Sequence, residues 1–118
     1  MERLKRRHDF VAAAKALYSA QPGMVVQARD RKDGKAPRVG FTTTKKLGNA
    51  VMRNRIRRRL RETARLGLAE IAHEGFDYVL IGRAGAARRP FAELRDDLNS
   101  ALMRLHGSSY RAVDKRTP

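Results

Sequence analysis

The segment "KKLGNAVMRNRIRRRLRE", residues 45–62, sets eight Lys or Arg around a small apolar set and holds no acid before Glu62. Wound into a helix at about 100° per residue, it brings Met52, Ile56, Leu60, Thr63 and Ala64 onto one stripe. Asn54, Arg57, Arg58, Arg61 and Arg65 gather on the opposite side, within an arc of roughly 100°. The apolar stripe must face the sheet. The other side is poorly served by water, because like charges at i,i+3 and i,i+4 each destabilise a helix by about 0.2–0.5 kcal/mol. A polyanion turns that repulsion into binding, since guanidinium forks match phosphate oxygens. A merely solvated basic face is the alternative. The density of arginine, the near absence of acids and the Lys45–Lys46 step weigh against it.

The whole chain shares this bias. A formal net charge of +15 on 118 residues repels itself in the compact state, a cost that fits a life against nucleic acid or, less directly, an anionic membrane surface. No apolar run reaches the ~20 residues needed to span a bilayer. "VAAAKALYSA", from Val11, has some of the character of a secretory signal, but Lys15 interrupts it and Tyr18 and Gln21 follow, so a cytoplasmic location is expected. There is no cysteine, hence no disulfide framework, thiolate zinc site or cysteine nucleophile. The length suits a single domain over residues 1–118, burying about two-thirds of its unfolded surface.

Local signals give the order α-β-β-α-β-α. A basic arm, residues 1–7, precedes a helix that begins at His8–Asp9, runs through "FVAAAKALYSA" and stops at Pro22–Gly23. "MVVQARD" and "RVGFTTTK" read as strands forming a hairpin about the turn residues of "RKDGKAP". Alternation puts Val39 and Phe41 on one face of the second strand, with Gly40, Thr42 and Thr44 on the other. A long helix spans about Asn49 to Ala72, with Gly75 closing it. "DYVLIGRA" is a third strand. Pro90 opens a last helix in which Phe91, Leu94, Leu98, Leu102 and Leu105 recur at helical spacing up to Gly107. Residues 1–7 and 108–118 are expected to be disordered. The class is α+β, a small sheet covered by helices.

"RVGFTTTKKLGNAVMRNRIRRRLRE" closely resembles the signature of the protein subunit of bacterial ribonuclease P, including an Arg-Asn-Arg core at Arg53, Asn54 and Arg55. The resemblance extends from "RLKRRHDF" through "DYVLIGR" to the last helix. It implies a four-stranded mixed sheet with three helices, like the second domain of a small-subunit ribosomal protein, with a left-handed βαβ crossover. The fourth strand is expected near Asp30 to Ala36 or at the sheet's edge. It implies further that an RNA subunit carries the chemistry, Mg²⁺-dependent removal of the 5′ leader from precursor tRNA, with no cofactor held by the protein itself. Carried over by position, Lys45, Lys46, Arg53, Asn54, Arg55, Arg57, Arg58 and Arg61 would meet the RNA subunit. Phe10, Val25, Gln27 and Thr42 would line a leader cleft between the first helix and the sheet, where stacking on an aromatic holds unpaired bases without regard to sequence. Ala14 and Gln27 stand where some relatives carry further aromatics, which makes the stacking thinner. Phe10 also has a reading as a helix-to-sheet core residue, and Tyr18 reads as packing.

Other constellations are weaker. His8, His73 and His106 lie far apart in sequence with no cysteine to join them, which is a poor basis for zinc. Glu93, Asp96 and Asp97 read as a solvated acidic patch, because adjacent helical residues point apart. "GRAG" at Gly82–Gly85 has the spacing of a KH loop but follows a strand, so it reads as a turn. No catalytic or metal-binding residues are assigned. A binding module without a processing role, ribosomal or DNA-binding, remains the second reading, although no leucine heptads follow "NAVMRNR". A self-sufficient nuclease would need clustered carboxylates or a His in a pocket.

Overall fold

The computed structural model describes residues 1–107; the tail at 108–118 lies outside the described residues. Five strands make one mixed sheet: β1 (Glu2–Arg3), β2 (Leu17–Ala20), β3 (Met24–Asp30), β4 (Arg38–Thr42) and β5 (Phe76–Gly82), in the spatial order β1-β4-β5-β3-β2. The β1/β4 and β4/β5 pairs are parallel; β2/β3 and β3/β5 are antiparallel. Helix α1 (Arg7–Ala14) covers one face, while α2 (Ala50–Ile71) and α3 (Phe91–Leu105) cover the other. Fold class and helix count follow the expectation, but the sheet has five strands where four were expected, because residues 2–3 add β1 beside β4.

Strand β5 organises the sheet. Its residues Asp77 to Leu80 are buried without interruption, the pattern of a strand covered on both faces, and such a strand belongs in the centre. It takes β3 on one side, Val25 opposite Ile81 and Gln27 opposite Val79, and β4 on the other, Gly40 beside Val79 and Thr42 beside Ile81. The hairpin expected between 24–30 and 38–42 therefore does not form. Its two strands flank β5, and α2 supplies the crossover from β4 to β5.

Three further expectations need correction. Helix α1 ends at Ala14, and residues 17–20, read as its continuation, form edge strand β2; this is the missing fourth strand, at the sheet's edge rather than near Asp30 to Ala36. Pro22–Gly23 serves as the hairpin turn, where Gln21 N–H donates to Met24 O at 2.7 Å. Helix propensity is a weak determinant even next to an alanine-rich run, and pairing with β3 overrides it. The basic arm is not free: Glu2 and Arg3 pair with Arg38 and Val39, and Leu4 is buried. Asp97 is also buried, accepting from Gly23 N–H at 3.0 Å and from Arg89 at 2.9 and 3.1 Å, so it is no part of a solvated patch.

Helix α2 starts where the sequence says. Gly48, at φ +126°, adopts a backbone that other residues resist, and Asn49 caps the helix by accepting from Met52 N–H at 3.0 Å. Ile56, Leu60, Thr63, Ala64 and Leu68 are buried on its inner face with Met24, Val26, Tyr78, Leu80 and the leucines of α3. At the far end of that core the rings of His73 and His106 stack at 3.6 Å, and Tyr78 Oη lies 2.7 Å from His106 Nε2. Burial, reinforced by His73, pushes the His106 imidazole down to about 4. Two histidines distant in sequence thus meet, and among the described residues no group of three or more His, Cys, Asp or Glu is placed to hold a metal.

Candidate nucleic-acid interface

Opposite its buried stripe, α2 presents Asn54, Arg58, Arg61 and Arg65 to solvent, with Arg57 partly covered. Arg57 is steered by Thr43 Oγ1 at 2.7 Å and Asn54 Oδ1 at 3.3 Å, which fixes a fork beside the exposed turn carrying Lys45 and Lys46. Arg65 is paired with Glu62. Arg58 and Arg61 make no hydrogen bond or ion pair among the described residues, and Arg53 holds its Nε buried without a partner there. Arg55 turns the other way, donating to Ala87 O at 3.1 Å, and Arg59 donates to Ala86 O at 2.8 Å and to Arg89 O. These two hold the 3₁₀ turn Ala84–Ala87 that occupies the "GRAG" segment. Of the residues assigned to the RNA subunit, Arg55 is therefore bound internally through its Nε and Arg53 is half-buried, while Asn54, Arg57, Arg58 and Arg61 share the outer face of α2 and Lys45 and Lys46 are exposed on the turn before it.

The opposite face of the sheet carries α1, and the surface beside that helix is the place of the expected leader cleft. The register sets its side chains in rows: Thr42, Ile81 and Val25 in one, Gly40, Val79 and Gln27 in the next, Arg38, Asp77 and Arg29 in the third. Phe10 lies over Gly40, where a Cβ would come within 2.6 Å of its ring; only glycine admits the ring so close. With Leu4, Ala13, Val79 and Ile81 it makes a small second core. Val25, Gln27 and Thr42 are partly exposed beside it. The four residues assigned to the cleft thus share one face, and Phe10 combines packing with an open edge. Tyr18 departs from the packing role expected of it: it stands opposite Gln27 on that face and is 69% exposed.

The third row closes the cleft with charge. Asp77, fully buried, accepts from Arg38 Nε and Nη2, both at 2.8 Å, and from Arg31 Nη1 at 2.5 Å; Arg29 lies 3.6 Å away and also reaches Asp9 at 3.4 Å. Burial alone would raise the Asp77 carboxyl, but hydrogen bonds and charge from Arg38 and Arg31 outweigh it and hold it below the usual carboxylate range. The local sequence gave no hint of this cluster, whose members lie on three different strands and loops.

A basic helix face on one side of a small mixed sheet and a partly open face carrying Phe10 on the other mark the class of RNA-binding proteins. Comparison with known proteins agrees. The Ribonuclease P family model matches residues 1–106. The ribonuclease P protein component of Ruegeria pomeroyi is 55% identical over 106 residues, covering 87% of this chain and 85% of that protein; that of Caulobacter vibrioides is 50% identical over 105 residues, covering 88% and 70%. Among solved structures, the RNase P protein of Staphylococcus aureus superposes with TM-score 0.69 at 30% identity, over 86% of this chain and 93% of that one. The RNase P protein from Thermotoga maritima gives 0.69 at 28%, over 85% and 94%. The chain belongs to the ribonuclease P protein family. It is a subunit of the holoenzyme that matures tRNA 5′ ends, and it works with the ribonuclease P RNA.

Proposed function

We propose that the outer face of α2, with Lys45 and Lys46, binds the RNA subunit, and that the cleft under α1 holds the 5′ leader of precursor tRNA. The observation that carries this is the segregation on α2: Arg58 and Arg61 stand exposed on the outer face with no acidic partner among the described residues, directly behind a fully buried Leu60. Phosphate is the ligand that such uncompensated guanidinium groups select. The leader assignment rests on Phe10, Val25, Gln27 and Thr42 sharing one partly open face.

Mg²⁺ is a requirement of the holoenzyme in this reading, and the RNA holds it. The described residues provide no matching donor set, so no step is assigned to a protein-bound metal. No described helix is long and apolar enough to cross a membrane, and the cytoplasm, where tRNA precursors are made, is the proposed location. Reconstitution tests the whole. Precursor tRNA is incubated with the protein alone, with the RNA subunit alone at low Mg²⁺, and with both. Cleavage is expected only from the pair; specific 5′ cleavage by RNA-free protein, abolished by changing one of its acids, would overturn the assignment.

A further inference from the structure

Strand β2 continues the middle row of the cleft by one position. Tyr18 pairs with Gln27, so the row runs Gly40, Val79, Gln27, Tyr18 across four strands, with Phe10 seated on its first member. Three strand spacings separate the ends, ~14 Å. Phe41, Phe76, Phe91 and Phe10 are all partly covered and Tyr78 is buried; among the described Phe and Tyr residues, Tyr18 alone is exposed. It lies on the edge strand, so no further strand shields it. Its ring enters none of the hydrogen bonds or ring contacts found among the described residues.

Between the rings the row holds Val79, buried under α1, and Gln27. Ala14, last residue of α1, carries only a methyl and is exposed; Gln27 is partly exposed and carries an amide, not a ring. An unpaired strand that skirts the end of α1 past Ala14 and Gln27 meets no further ring before the flat surface of Tyr18. An exposed ring at a water-facing sheet edge gains little from folding, whereas a nucleobase would cover it and gain stacking energy. Tyrosine suits this position, with an apolar face and a hydroxyl that stays wet.

We propose that Tyr18 is a second stacking platform of the leader cleft, holding a base of the single-stranded leader farther from the cleavage site than the base on Phe10. This rests on the leader reading of the cleft. It means that discrimination in favour of long leaders by this chain comes from two rings three strands apart, one on α1 over β4 and one on edge strand β2.

The chain has no tryptophan, so Tyr18→Trp installs a single indole at the site. In reconstituted holoenzyme its emission should be quenched by a precursor with a leader of several nucleotides and not by one trimmed to a single nucleotide. In parallel, affinities for both precursors are measured for wild type, Tyr18→Phe, Tyr18→Ala and Phe10→Ala. For Tyr18→Ala the ratio of long-leader to trimmed affinity should fall by about 5–10-fold, the low end of base stacking, and Tyr18→Phe should preserve it. If Phe10→Ala lowers the ratio and Tyr18→Ala does not, the platform is wrong while the cleft stands. If neither lowers it, the leader reading itself falls and takes the platform with it. A change in self-association of the protein with Tyr18→Ala, at an unchanged ratio, would assign the ring to contact between copies and also overturn the proposal.

Discussion

Arginine does two different jobs in this molecule. At the closed end of the cleft, Arg31 and Arg38 converge on buried Asp77 with distances of 2.5–2.8 Å, and Arg29 bridges Asp77 and Asp9. On the outer face of α2, Arg58 and Arg61 face water with no ion pair to a carboxylate among the described residues, since the neighbouring Glu62 pairs with Arg65. Desolvated guanidinium groups must be neutralised from within, and there the charge holds strands together. Exposed ones need no internal partner and keep their hydrogen-bonding capacity for phosphate. Counting basic residues does not reveal function; asking which of them are already spent does.

The contrast is most exposed to failure at Asp77. Asp77→Asn leaves Arg31 and Arg38 facing a neutral amide, and the loss of stability should be about 3–5 kcal/mol by urea denaturation. A loss below about 1 kcal/mol would mean that the three arginines do not depend on it. Next in size is Leu60→Ala, one residue from Arg61 but on the inner face of α2, which should cost about 2–5 kcal/mol through a cavity. Its binding to the RNA subunit, measured where the variant is still folded, should show an unchanged salt slope.

Acid should separate the two regions further. His106 is held neutral, near 4, against an ordinary value of 6.5. As pH falls through that window the unfolded chain takes a proton that the folded chain refuses, so stability declines, by up to about 3 kcal/mol, and it is regained as pH rises. His106→Gln should flatten the decline. The Asp77 contribution has the opposite origin, a depressed carboxylate; it persists above about pH 4 and is lost only below, as that carboxyl is finally protonated. The smallest stability effect belongs to the outer face. Arg58→Ala with Arg61→Ala should move stability by no more than about 0.5 kcal/mol per site. The slope of log K against log salt for RNA-subunit binding should nevertheless flatten by roughly 1–2. An unchanged slope would return these residues to the status of a solvated face.

What the sequence disclosed follows from how locally each feature is encoded. Helix α2 was legible nearly to the residue, because 22 residues repeat one apolar stripe and Gly48 and Asn49 mark its start. The basic face was legible with it, as the complement of the same stripe. Helix α3 and strand β5 were equally plain. Strand β2 was not, since "LYSA" follows an alanine-rich helix and is a strand only because β3 pairs with it. The position of Tyr18 was lost by the same error: on a helix it reads as packing, on an edge strand opposite Gln27 it becomes an open ring. Arg55 shows the reverse case, a residue of the Arg-Asn-Arg core whose Nε is engaged by Ala87 O, a contact set by tertiary structure alone.

The central place of β5 has a consequence for the order in which the protein comes into being. Strands β3 and β4 do not touch each other; each pairs with β5, whose residues lie more than thirty positions farther along the chain. A nascent chain that has left the ribosome as far as the end of α2 therefore has only the separate β2/β3 and β1/β4 pairs, and the sheet that buries that helix is joined only when residues 76–82 emerge. For that interval the arginine-rich segment is an unscaffolded polycation made in a compartment full of RNA, and early encounters with nucleic acid would precede the fold that gives the basic face its shape.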